Sequence, residues 1–155
     1  MSLDEEQKKQ GLETKNIIAI MMVEVIGRPP EHLTETLNDI ISKINEEKGV
    51  EVKEKKIHEP KPIKDQQDFY SSFAEVEFEA ETIMHIAMLM FKYMPSHIEV
   101  LSPESFKITN NELNDTFNEI TRRLHQYEEI TRVIQNEKII LEKKLKDFLE
   151  GNKKE

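Results

Sequence analysis

The stretch Ile17–Gly49, IIAIMMVEVIGRPPEHLTETLNDIISKINEEKG, carries two hydrophobic periods in succession. From Ile17 to Ile26 the chain is β-branched and apolar and stops at Gly27, which reads as a central strand. Pro29 and Pro30 then open a helix in which Leu33, Leu37, Ile40, Ile41 and Ile44 recur at helical spacing, so that one face is apolar. Gly49 closes it. An apolar strand followed at once by a one-faced helix needs a sheet for that face to cover, which makes the class α+β.

Outward from there, Val50 to Ile57 alternates as a strand, Pro60 and Pro62 interrupt pairing, and Phe69 to Glu79 alternates again, so the two form a hairpin. Thr82 to Met94 is apolar almost all round, which predicts a helix covered on more than one side and closed by Pro95. A short strand, Ile98 to Leu101, follows. Strand, helix, strand, strand, helix, strand is the order of the ferredoxin-like βαββαβ sandwich, and residues 16–108 are assigned to it after a polar tail at 1–15. Ala19, Met21, Val23 and Val25 on the first strand, and Ala74, Val76, Phe78 and Ala80 on the third, form the inward sets. On the other face Glu75, Glu77 and Glu79 suit water. Ile18, Ile20 and Met22 there predict an exposed apolar strip that a second copy's sheet or the last helix covers.

After Pro103 neither glycine nor proline occurs until Gly151, and Thr109 with Glu112 has the spacing of a capping box. The segment 109–150 therefore reads as one long helix from about Asn110 to Leu149, with a polar tail at 151–155. At about 1.5 Å per residue it is roughly 60 Å long, which predicts that it projects from its domain. Counting by four and three from Leu113 gives Phe117, Ile120, Leu124, Tyr127, Thr131, Ile134, Lys138, Leu141, Leu145 and Phe148, a heptad seam broken only by Thr131 and Lys138. Ile130, Val133, Ile139 and Ile140 lie off that seam and suggest contact with more than one neighbour. Across a parallel pair Arg123 faces Glu128 favourably and Glu137 faces Glu142 unfavourably, so charge alone leaves the orientation open.

Composition narrows the chemistry. The 22 basic and 31 acidic side chains give a net charge of −9, which opposes bulk binding to nucleic acid or anionic membranes. There is no cysteine, so disulfides, thiol catalysis and thiolate zinc sites are excluded. Met1 to Lys15 carries Asp4, Glu5, Glu6 and Glu13, wrong for a signal or transit peptide, and no apolar run approaches the roughly 20 residues that span a bilayer. A cytoplasmic protein is expected. His32, His58, His85, His97 and His125 are scattered, His85 reads as a hydrogen-bonded core histidine, and Met84, Met88, Met90 and Met94 as core packing, so no metal is assigned. Gly11, Gly27, Gly49 and Gly151 stand apart and build no phosphate loop; no nucleophile elbow occurs, and no enzyme or cofactor is expected.

Two partial resemblances suggest alternatives. Lys53, Lys55, Lys56, Lys61 and Lys64 with His58 form the basic concentration of the chain and suggest an RNA or phosphate contact, and SFAEVEF, Ser72 to Phe78, resembles in part the aromatic segment of RNA recognition motif proteins, with Glu75 where that family stacks a base. Outward-facing Lys53 and Lys55 are instead expected to pair with Glu75 and Glu77. VIGRPPEHLTETLNDI, Val25 to Ile40, is similar to the start of ACT-type regulatory domains, which implies a small-molecule-sensing oligomer using the turn from Gly27 to Pro30, with Pro30 where that family usually has glycine. The leading expectation is a non-enzymatic homo-oligomer, or a docking partner of another helical protein. It would use Phe117, Ile120, Leu124, Tyr127, Ile134, Leu141 and Leu145, with Ile18, Ile20 and Met22 as a second surface.

Overall fold

A computed structural model describes residues 16–151. The expected polar tails at 1–15 and 152–155 lie outside the described residues. The order of elements is β1 (Ile17–Gly27), α1 (Pro30–Asn45), β2 (Val50–Ile57), β3 (Lys61–Pro62), β4 (Tyr70–Ala80), α2 (Ile83–Tyr93), β5 (His97–Ser102) and α3 (Asn110–Gly151). The chain divides into two units, one running to Glu112 and the other from Leu113.

In the first unit the strands form one antiparallel sheet in the order β2-β4-β1-β5, with the two-residue β3 also paired to β4. The sheet thus has five strands where four are read from the sequence. Lys61 and Pro62 pair with Ser71 and Tyr70, so the proline-marked interruption holds a short extension of the ladder. Strands β1 and β4 pair along their full length, Ile17 against Ala80 through Gly27 against Tyr70, because both are 11-residue alternating runs with no internal breaker.

One face of the sheet is dry. Ala19, Met21, Val23, Ala74, Val76, Phe78 and Ala80 are buried there against Leu37, Ile41 and Ile44 of α1 and Ile86 and Leu89 of α2. Phe78, wholly buried, sits in register between Ala19 and Val52, so one ring fills the space over three strands. The helix ends are tied together as well. Tyr93 Oη donates to Glu47 Oε1 at 2.6 Å, and the Lys92 ammonium meets the same oxygen. Lys92 first, then Tyr93, holds the Glu47 carboxyl below its ordinary range; burial, then Glu47, pushes the Tyr93 phenol up.

Three local expectations are corrected. Helix α2 is covered on one side only: Ile86, Ala87 and Leu89 are buried, whereas Met88, Met90 and Met94 are exposed. A run of apolar residues contains no record of which side is covered, and methionine is flexible enough to sit on the open side. Next, β2 does not alternate strictly. A bulge between Val52 and Glu54 brings Glu54 opposite Glu77 and turns Lys55 to the register of Val76. Lys55 Nζ consequently reaches Asn38 Oδ1 of α1 at 3.0 Å, and Asn45 Oδ1 accepts the Val52 N–H at 2.9 Å beside the bulge. Neither Lys53 nor Lys55 pairs with Glu75 or Glu77: Lys53 meets Glu51 and Glu79, each at 2.9 Å. Finally, Ile18, Ile20 and Met22 are half-buried and not an open strip. They lie on an inner strand, in register with Glu79, Glu77 and Glu75 of β4 on one side and with Ser102, Glu99 and His97 of β5 on the other.

The turn between α1 and β2 depends on Gly49, whose φ is +72°, and a Cβ there would fall 2.5 Å from the His85 ring. Only glycine takes that conformation and that approach without strain. His85 is half-buried in α2, where Thr82 Oγ1 lies 2.9 Å from its Nδ1. The residue ending α2, Met94, also has a left-handed backbone (φ 48°) and its N–H closes the helix on Met90 O at 3.1 Å, the role glycine usually fills.

The second unit is the body of α3. Its start is fixed by the capping box: Thr109 N donates to Glu112 Oε2 at 2.8 Å, and Glu112 N donates to Thr109 Oγ1 at 3.2 Å. The Thr109 N–H, then its hydroxyl, holds the Glu112 carboxyl below its ordinary range. The helix takes in Gly151, which the sequence reading leaves to the tail.

Candidate functional site

Helix α3 is 42 residues long, and its charges are arranged along its own surface. Glu119 accepts from Arg122 at 2.6 and 2.9 Å and from Arg123 at 2.8 Å; Arg122 first, then Arg123, draws its carboxyl down to about 2. Further along, Arg132 meets Glu128 at 3.0 Å, Lys138 meets Glu142 at 3.7 Å and Lys146 meets Glu150 at 3.9 Å. All are three or four residues apart, the spacing at which helix neighbours touch. Such exposed pairs add little each, but they hold these charges within the helix without any partner.

The apolar face has no such internal solution. Thr116 is buried and Leu113, Glu119, Ile120 and Arg123 are half-buried, but from Leu124 to Gly151 every residue is exposed. Among the expected interaction residues, Phe117, Leu124, Tyr127, Ile134, Leu141 and Leu145 are exposed large side chains and Ile120 is half-buried. Leu141 and Phe148 are the most exposed apolar residues of the seam, 65% each. Ile130, Val133, Ile139, Ile140 and Leu149 are exposed beside it. One polar seam position is satisfied within the helix, since Thr131 Oγ1 donates to Tyr127 O at 2.8 Å. Leaving a large apolar side chain in water costs about 1.5–3 kcal/mol relative to burying it, so this face is far more apolar than a solvated helix needs.

The residues behind the alternative readings are placed differently. Lys53 and Lys55 are engaged as described, Lys56 stands in register with Glu75, and Lys61 and Lys64 are exposed in the segment between β2 and β4. His58 stacks on Phe73 with ring centroids 4.1 Å apart and its Nε2 lies 3.3 Å from Glu75 Oε1, so the aromatic of the RNA-motif resemblance is covered by a histidine. In the turn from Gly27 to Pro30, the Arg28 guanidinium lies 5.3 Å from the centre of the Phe69 ring. A Cβ at Gly27 would meet Leu33 at an ordinary 3.7 Å, so nothing in the packing requires glycine there. His32 lies 3.2 Å from Glu35 and His97 3.9 Å from Glu99. Among the described residues no group of three metal-binding side chains comes together, and no helix is long and apolar enough to cross a membrane.

The exposed methionines of α2 are the surface that sequence reasoning misses, and the signal available was the choice of methionine over leucine at Met88 and Met90. In comparisons with known proteins, the model of the MJ0538 family matches residues 18–153, spanning the sheet from the second residue of β1 and all of α3. No curated protein matches the chain.

Proposed function

The chain belongs to the MJ0538 family, and from that premise we propose that it is a non-enzymatic assembly protein, an α+β domain whose long C-terminal helix associates with a second copy. The observation that carries this reading is the run from Leu124 to Gly151, exposed at every residue yet bearing Leu124, Tyr127, Ile134, Leu141, Leu145 and Phe148 at heptad spacing. Three ion pairs along this stretch lie within the helix and need no partner, and the apolar face is what remains to drive association. Assembly through helices also suits a domain whose order of elements and strand order, β2-β4-β1-β5, support a ferredoxin-like class, because that fold buries its own helices and leaves α3 as an addition. The half-buried Ile18, Ile20 and Met22 offer less free apolar surface and are a secondary contact in this reading.

Light scattering of the full chain at tens of micromolar tests the proposal. A mass at least twice 18.3 kDa is expected, and 18.3 kDa throughout removes it.

A further inference from the structure

Resting on that reading, we infer that two α3 helices pair antiparallel, in a register that sets residue n of one copy against residue 265 − n of the other. Four and three alternate along the seam from Phe117 to Phe148, ten positions that are symmetric about the bond between Arg132 and Val133. Antiparallel, the layers become Phe117 on Phe148, Ile120 on Leu145, Leu124 on Leu141, Tyr127 on Lys138 and Thr131 on Ile134, each occurring twice.

Seam chemistry distinguishes this from the parallel pair. In a parallel, in-register pair Lys138 faces its own copy, placing two ammonium groups in one desolvated layer, and Thr131 faces its own copy beside it. Each Lys138 meets Glu142 of its own helix at 3.7 Å, which offsets part of the repulsion, but two ammonium groups still share that layer. Antiparallel, the same lysine lies against the Tyr127 ring, where its stem packs and its ammonium can meet the ring face. The Thr131 hydroxyl is already bonded to Tyr127 O and presents its methyl to Ile134.

The rim decides less. Parallel pairing gains Arg123 with Glu128 and loses Glu137 against Glu142. Antiparallel pairing brings Arg123 near Lys144, but Glu119 lies 2.8 Å from Arg123 and offsets its charge. Exposed rim charges are screened by water and contribute little, so the lysine layer dominates. The resulting contact is isologous and closes on itself.

The absence of cysteine makes the test clean. Leu124→Cys and Leu141→Cys chains, one of them ¹⁵N-labelled, are oxidised in a glutathione buffer alone and after refolding together. The expected result is a disulfide-linked mixed pair at least tenfold above the self-linked product of either chain alone. Self-linking by each variant alone overturns the orientation, as does an associated mixture with no mixed product. The pair Thr131→Cys and Ile134→Cys, which removes less apolar surface, repeats the measurement if the leucine variants dissociate. Light scattering separates the two levels: unsubstituted chain at the monomer mass overturns assembly itself, whereas a multimer with the wrong disulfides overturns only the register.

Discussion

The chain carrying Leu124→Asp and Ile134→Asp together is expected to be monomeric at concentrations where the unsubstituted protein is associated. Both side chains lie on the seam and are exposed in a single copy, so neither is needed by the interior of its own domain. In a pair each substitution occurs twice, and every site forgoes about 1.5–3 kcal/mol of apolar burial and gains a carboxylate that must be desolvated. The dissociation constant should rise about ten-thousandfold or more. Meanwhile the ring-current-shifted methyl resonances around Phe78 should stay in place, since that ring is packed among Ala19, Val52 and the inner faces of α1 and α2. Unchanged mass shows that the seam is misassigned. Loss of the Phe78 signature shows instead that the helix supports the domain's interior.

Gly49→Ala should lower the stability of the domain by about 3 kcal/mol. A left-handed conformation costs a residue with a Cβ about 1–2 kcal/mol, and the new methyl group would stand 2.5–2.9 Å from three atoms of the His85 imidazole. The ring cannot swing away freely, because Thr82 Oγ1 is bonded to its Nδ1 and α2 is anchored by the buried Ile86 and Leu89. For a domain of this size the melting temperature should fall by about 10–20 °C. Adding His85→Ala to Gly49→Ala should recover the steric share and leave the backbone share. A thermal melt that moves by less than 2 °C in the single variant shows that the turn and α2 are not in contact in solution.

Much of the fold was legible because the signals were local and strongly periodic. The alternation of Ala19, Met21 and Val23, the helical spacing of Leu33, Leu37, Ile41 and Ile44, and the Thr109–Glu112 capping box each identify an element from a few neighbouring residues. What was not legible depended on partners distant in sequence. The bulge in β2 is invisible in VEVKEKKI, since the four charged residues from Lys53 to Lys56 tolerate either face, and it moves Lys55 from the expected outward ion pair to Asn38. Nor does the run IMHIAMLMFKY declare that Met88 and Met90 stay in water. Ile18, Ile20 and Met22 read as an open strip on a central strand, and their alternation alone does not give the half-burial they have. The candidate site was the most readable feature, because a heptad seam depends only on spacing within one helix; the identity of whatever covers it depends on a surface outside that helix.

Hydrogen exchange of the amides from Leu124 to Gly151, followed over a dilution series of the full chain, tests assembly through α3 most directly. If a second copy covers the seam, these amides are protected in the associated protein, and protection falls as dilution lowers the mass toward 18.3 kDa. Protection that persists unchanged in a chain sedimenting at 18.3 kDa contradicts assembly through α3, because the helix would then hold its structure without a partner.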